Sequence, residues 1–219
     1  ERWRAHGLPT ADACVVAGPE ELDAACVPLP DFPLFVKPLH EGSSKGISSP
    51  HSIVYTREAL AARVAQVCAW YGQPALVETY LPGREFTIGV LGNGAAARVL
   101  GIAEVNSASP GNISGFNDKE EWEQRAPDYY TILAAGPLHE RLTALALRAY
   151  HAVHCLDLGR VDVRLDAMGE PQLLEINPLP ALHPTHSAFT LLGRHAGLPY
   201  ETLIATIVDQ ARQRWGPVA

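Results

Sequence analysis

The residues with the clearest chemical potential are Asp162, Glu175 and Asn177, with Arg160 beside them. They lie in two alternating runs, Gly159 to Leu165 and Pro171 to Asn177, separated by Asp166-Ala167-Met168-Gly169-Glu170. In the first run Val161, Val163 and Leu165 share one face, and Arg160, Asp162 and Arg164 share the other. In the second, Leu174 and Ile176 oppose Leu173, Glu175 and Asn177. A turn closing over Ala167 to Glu170 would set Asp162 opposite Glu175 and Arg160 opposite Asn177. Directly opposed side chains in an antiparallel pair have Cβ atoms roughly 4.5 to 5.5 Å apart, where two like charges repel. A positive group must therefore lie between them. Magnesium suits: it is hard, takes oxygen ligands, is content with one or two carboxylates, and completes its octahedron with water and substrate phosphate. Asn177 would add a neutral oxygen on the same face. On the residues alone a second reading stands beside this one, a solvent-facing hairpin whose charges are met by Arg160 and Arg164.

Two further segments have the composition of a nucleotide site. Lys37-Pro38-Leu39-His40-Glu41-Gly42-Ser43-Ser44-Lys45-Gly46-Ile47 places a lysine at the end of an apolar run and follows it with a Gly/Ser loop. Small residues let backbone amides approach phosphate oxygens, and Lys37 offers them a point charge. The GxxxxGK[ST] order is absent, so this is not a P-loop, and a plain hairpin turn is the competing reading. Glu78-Thr79-Tyr80-Leu81-Pro82-Gly83-Arg84-Glu85 crosses from one strand to the next through a Pro-Gly turn. Such a crossing exposes the backbone groups that the edge of adenine requires, and Glu85 could accept from ribose hydroxyls; an ordinary linker would look similar.

The elements that must position these groups are legible in outline. Leu34 to Val36 and Ala75 to Glu78 are candidate strands. Between them Leu60, Val64, Val67, Cys68 and Tyr71 recur at helical spacing from Arg57, with Gly72 and Pro74 as the stop. Glu85 to Leu91 alternates as a half-buried strand and pairs across Gly92-Asn93-Gly94 with Ala97 to Val105. Residues 107–128 have no period and are long enough to be functional. Helices are expected over Leu138 to Val153 and around Leu203 to Ala211, and a short one before Gly7.

Bulk properties narrow the function. The chain has 219 residues, 47% hydrophobic and 19% charged, as a globular protein with a real core requires. A formal net charge of -7 without a basic block argues against nucleic-acid binding. No apolar run suits a membrane span or a secretory signal, which points to a cytoplasmic protein without membrane contact. Cys14, Cys26, Cys68 and Cys155 form no CxxC pair and are expected as reduced thiols. His40, His183 and His186 are expected to be solvated loop residues.

Three ordered segments carry a resemblance. Phe35-Val36-Lys37-Pro38 with Glu41-Gly42-Ser43-Ser44, then Leu76-Val77-Glu78 with Pro82-Gly83-Arg84-Glu85-Phe86-Thr87, then Arg160-Val161-Asp162 with Leu174-Glu175-Ile176-Asn177-Pro178 resemble the ATP-grasp superfamily and, within it, the D-alanine:D-alanine ligases. The resemblance covers nearly the whole chain. It implies an α+β ATP-grasp fold with two α+β lobes whose antiparallel sheets clasp the nucleotide, a central lobe over 1–80 and a C-terminal lobe over 81–219. It also implies that Lys37 and Ser44 bind ATP phosphates, that Glu78 and the Leu81 backbone contact adenine, and that Glu85 binds ribose. Asp162, Glu175 and Asn177 would hold magnesium ions, and Arg160 would stabilise charge on the substrate carboxylate.

The implied reaction phosphorylates a carboxylate with ATP and lets an amine attack the acylphosphate, joining small-molecule amino acids. A homodimer is left open. Arg160, Ser43 and Lys119 are the catalytic candidates, Lys119 because the family's mobile-loop lysine and tyrosine read Glu121-Trp122 here. Other departures are Pro180-Ala181 in place of Pro-Gly, and His183-Pro184-Thr185-His186-Ser187, which only partly matches the stretch that binds the acceptor carboxylate. Both fall on substrate recognition and leave the amino acids unidentified. The small N-terminal domain of the family and its second phosphate-binding lysine are not in this sequence, so a C-terminal part of a longer protein is expected. A nucleotide-binding module without turnover is the alternative function.

Overall fold

The computed structural model describes residues 2–22, 31–42, 44–47, 51–107 and 129–215. A one-turn helix α1 (Arg2–Ala5) opens the chain. The described residues then fall into two compact units, one from Ala11 to Pro82 and one that joins the residues up to Thr10 to Gly83–Asn106 and to the chain from Tyr129 onward.

In the first unit, strands β1 (Ala13–Val16), β2 (Leu34–Pro38), β3 (Ile53–Val54) and β4 (Ala75–Thr79) form an antiparallel sheet in the order β1-β4-β2-β3. Helix α2 (Arg57–Tyr71) begins where the Thr56 hydroxyl accepts from the Ala59 amide at 3.3 Å, and ends at Gly72, whose φ of 62° is the left-handed cap glycine tolerates. Its Leu60, Val64 and Val67 pack on Leu34, Val36 and Val77, so the alternate residues Phe35, Lys37, Leu76 and Glu78 are left on the other side of the sheet. The short strands β1 and β3 carry no alternation long enough to read. Cys14 in β1 is disulfide-bonded, which corrects the expectation of four reduced thiols; Cys68 and Cys155 are free.

In the second unit, β5 (Glu85–Leu91), β6 (Arg98–Val105), β7 (Tyr130–Ile132), β8 (Leu158–Leu165) and β9 (Pro171–Asn177) form an antiparallel sheet in the order β7-β6-β5-β8-β9. Helix α3 (Pro137–Ala152) covers one face, burying Phe86, Ile88, Val90, Val161 and Val163 with Leu142, Ala146 and Tyr150. Helices α4 (Ala188–His195) and α5 (Tyr200–Trp215) contribute Phe189, Leu192 and Leu203 to the cluster on the opposite face, with Leu91, Ala103 and Leu158. The expected half-buried β5 is therefore buried on both faces. Gly89 and Gly101 make this possible: they are cross-strand partners, and a Cβ on either would lie 3.3 Å from a Leu192 methyl. Among the described residues no helix is long and apolar enough to cross a membrane.

The β8–β9 hairpin differs from simple alternation at one point. A bulge between Asp162 and Val163 pairs Val163 with Leu173, so Leu173 joins the core at 1% exposure instead of lying beside Glu175. The bulge lets one strand point both Leu173 and Ile176 inward while Glu175 and Asn177 keep the other face.

Candidate functional site

The three strands β5, β8 and β9 bring the polar residues into rows. Thr87 pairs with Asp162 and Asp162 with Glu175; Glu85 pairs with Arg164; Arg160 pairs with Asn177. The registers expected for Asp162 with Glu175 and for Arg160 with Asn177 are the ones found. Because side chains alternate, these residues lie on the face opposite α3; the Arg160–Asn177 pair continues the row of Gly89 and Gly101, where α4 packs, and Thr87, Asp162 and Glu175 form the next row.

Asp162 is the buried member, its side chain 12% exposed, while that of Glu175 is 57% exposed. The Thr87 hydroxyl donates to Asp162 Oδ1 at 2.8 Å, and the Asn177 amide donates to Glu175 Oε1 at 3.0 Å and to Asp162 Oδ2 at 3.4 Å. The positive group between the carboxylates is Arg160. Its Nε donates to Asp162 Oδ1 at 3.0 Å and its Nη2 to Oδ2 at 2.7 Å, while Nη2 lies 3.5 Å from Glu175 Oε1. Arg164 Nη1 donates to Glu85 Oε2 at 3.0 Å, so the residue expected at ribose is an ion-pair partner here. Burial alone would lower the Arg160 guanidinium; Asp162, by charge and hydrogen bond, and then Tyr130 and Glu175 hold it above its ordinary value. Tyr130 on β7 belongs to the same neighbourhood: burial, then Tyr129, with Asp162 and Glu85 adding and Arg160 opposing, raises its hydroxyl far above ordinary phenol, so it stays a protonated donor.

Groups of three or more His, Cys, Asp and Glu able to hold a metal are absent among the described residues. The donor set is two carboxylates and one amide on a single sheet face, all oxygen, which fits a hard cation that brings its own water and phosphate and does not fit zinc.

In the other unit Lys37 Nζ lies 2.5 Å from Glu78 Oε2, both half-buried on the side of the sheet away from α2. The lysine expected at phosphate and the carboxylate expected at adenine thus neutralise each other. The loop after β2 is a pair of tight turns, with Lys45 N donating to Gly42 O at 3.1 Å and Ile47 N to Ser44 O at 3.0 Å. Ser44 has a φ of 60° and Gly46 one of 75°. A side chain at Gly46 would fall 2.5 Å from Pro38 Cγ, so the loop folds back tightly on its own strand. Leu81 is buried at 6%. Ser43 and Lys119 lie outside the described residues.

Three residues near these sites escaped the sequence reading. Thr87 stands in the second of the three resembling segments but was given no role, and Tyr130 carries no motif; register places both. Arg63 had a signal: it sits three after Leu60 and four before Val67, a charge inside an apolar helical stripe. His183 and His186, expected to be solvated, stack at 3.3 Å between ring centroids, with the Thr185 hydroxyl 3.3 and 3.4 Å from their Nδ1 atoms.

A family model described as D-ala D-ala ligase C-terminus matches residues 3–209. Among curated proteins, D-alanine--D-alanine ligase of Chromohalobacter salexigens is 35% identical over 209 residues, covering 94% of this chain and 62% of the relative. That of Bordetella petrii is 34% identical over 216 residues, covering 95% and 61%. An uncharacterized protein y4sG of Sinorhizobium fredii is 33% identical over 214 residues. The chain thus spans under two thirds of the length of these relatives. Among solved structures, D-alanine--D-alanine ligase from Bacillus anthracis complexed with ATP superposes with a TM-score of 0.72 at 23% identity, over 100% of this chain and 64% of that one. The D-alanine-D-alanine ligase from Coxiella burnetii gives 0.70 at 22%, over 97% and 55%. The two antiparallel sheets with their helices are accordingly the α+β ATP-grasp fold.

Proposed function

Because the chain belongs to the family of D-ala D-ala ligase C-terminal domains, we propose that it is the nucleotide- and magnesium-binding part of an ATP-dependent carboxylate-amine ligase, with its lobes dividing near residue 81. The observation that carries this reading is the Asp162–Glu175 cross-strand pair with Asn177 on the same face. A structural hairpin gains little from two carboxylates and a buried Asp162, whereas a phosphate-bearing cation needs them.

In this reading Asp162, Glu175 and Asn177 would hold magnesium, which would supply positive charge to the phosphates of a bound nucleotide. With such an ion present, the Asn177 side-chain oxygen would be its neutral donor in place of the amide nitrogen that now donates to the carboxylates, and Arg160 would no longer be needed as the counter-charge of Asp162. Arg160 would then be the planar donor pair for the substrate carboxylate or its acylphosphate, a geometry Arg supplies and Lys does not. Thr87 keeps Asp162 oriented through its hydroxyl at 2.8 Å. Lys37 and Ser44 bind phosphates, Glu78 and the Leu81 backbone take adenine, and Glu85 takes ribose. Lys37 exchanges Glu78 for phosphate on binding, and Glu85 likewise leaves Arg164. Ser43 and Lys119 complete the catalytic set. Donor and acceptor amino acids join through attack of the amine on the acylphosphate, with release of ADP and phosphate.

A nucleotide-binding module without turnover is the second reading, favoured by Glu121-Trp122 in place of the lysine-tyrosine pair of the family's mobile loop. ADP formation by the full-length protein, measured across a panel of amino acids, separates the two. Amino-acid-dependent ADP release supports the ligase; Mg-ATP binding with no release under any amino acid supports the module and overturns the ligase.

A further inference from the structure

Among the described residues of the Ala11–Pro82 unit, Arg63 is the charged side chain that is buried. It lies on the core-facing stripe of α2 at 6% exposure, and its partners are all neutral. Nη1 donates to Gln66 Oε1 at 2.5 Å, and Nη2 donates to Gly46 O at 2.5 Å and to Ser52 Oγ at 3.3 Å, while the buried Nε has no partner. Among the described residues no carboxylate meets it. A buried ion without a counter-ion is expensive, and a hydrophobic side chain of the same volume would be more stable there. Burial lowers the guanidinium below the ordinary arginine value, Tyr71 working weakly the other way, yet an arginine remains protonated.

What the charge touches explains why it is there. Gly46 closes the second turn of the loop after β2, and its Cα has no room for a side chain against Pro38. Nη2 holds the carbonyl of that residue from inside the unit, so the same group both fixes the turn and sets a positive charge directly behind it. We propose that Arg63 is a positioning residue for the Ser44–Ile47 turn and the buried counter-charge for an oligophosphate bound there. The missing counter-ion of Arg63 is then the ligand. This rests on the reading of that loop as phosphate-binding and extends it to a residue inside the unit.

The test compares full-length wild type with Arg63→Met, and with Arg63→Gln as a second neutral variant should methionine prevent folding. Inorganic tripolyphosphate and Mg-ATP are titrated by calorimetry, adenosine by NMR, and the ligand-free melting temperature is recorded. The neutral variants are expected to melt no lower than wild type and to bind adenosine equally. They should lose about tenfold or more in affinity for tripolyphosphate and Mg-ATP, the size expected for removing one facing charge at an effective dielectric of about 20. Phosphate affinities within twofold of wild type overturn the inference and leave the phosphate loop standing. Equal loss for adenosine and tripolyphosphate also overturns it, in favour of a purely structural Arg63. A wild type that binds neither phosphate probe removes the loop reading and the inference together.

Discussion

Replacing Arg160 by glutamine removes the only guanidinium that, among the described residues, contacts both Asp162 and Glu175. Two carboxylates about 6 Å apart repel by about 3 kcal/mol at an effective dielectric of about 20. Glu175, with its side chain 57% exposed, can turn into water and shed most of that repulsion; Asp162, at 12%, cannot move away from Thr87. The larger loss is the pair of hydrogen bonds from Arg160 to Asp162, at 3.0 and 2.7 Å, since hydrogen bonds to charged groups contribute about 1.5–3 kcal/mol. Asn177 remains as a donor, so the net destabilisation is expected at about 2 kcal/mol, or a melting temperature lower by about 4–8 °C for a chain of this size. A divalent cation should restore it. Calorimetric melting of Arg160→Gln against magnesium chloride is expected to recover most of the deficit, and Mn2+ binding followed by EPR to be about tenfold tighter than in wild type, one tenfold step being about 1.4 kcal/mol. Turnover should nevertheless fall. A variant that binds Mn2+ more weakly than wild type would refute the idea that the guanidinium and the cation compete for the same carboxylates.

Leu192→Ala empties a fully buried position over Gly89 and Gly101 and should cost about 2–5 kcal/mol in denaturant titration while changing Mg-ATP affinity little, since Leu192 packs on the glycine row and not on the row of Asp162 and Glu175. Asp157, at a φ of 65°, accepts from Arg214 at 2.8 Å and from Asn93 at 2.8 Å, and the Arg214 bond, ahead of the Asn93 one, holds its carboxyl below the ordinary range. Its contribution to stability is therefore present above the unfolded value of about 3.9 and disappears as pH falls through the lower folded value. The melting-temperature gap between wild type and Asp157→Asn should be full at pH 6 and close as the solution is acidified below about pH 4.

How far the sequence reached depended on whether a residue's surroundings are local. The β8–β9 hairpin and its register followed from alternation and one turn, and the helix from Arg57 to Tyr71 from spacing and its glycine stop, because each signal lies within a few residues. The alternation failed at Leu173, where the bulge opposite Asp162 and Val163 leaves no mark in residue types. The strands Ala13–Val16, Ile53–Val54 and Tyr130–Ile132 were too short for a period, and helix Ala188–His195 follows a Pro-rich stretch that hides its start. Residue types named Asp162 and Glu175 as a pair needing a cation, but which cation stands there without ligand is a question of reach, and Arg160, two residues away on the same strand face, reaches both. The pairings of Lys37 with Glu78 and of Glu85 with Arg164 were hidden for the same reason: each joins residues more than 40 positions apart, brought together by sheet register alone.

Mg-ATP affinity of Asp162→Asn, measured by calorimetry beside wild type at fixed magnesium, bears most directly on the carboxylate pair. Loss of a direct ligand should exceed the 10–100-fold that removing a supporting partner typically takes, so a drop of about 100-fold or more is expected. The asparagine oxygen can still accept from Thr87 and from Arg160 Nε, whereas its NH2 cannot accept from Arg160 Nη2, so the melting temperature of the variant is recorded beside the affinity to show that the sheet is intact. Affinity within threefold of wild type would contradict metal binding at this hairpin, and with it the role in phosphoryl transfer assigned to this face of the sheet.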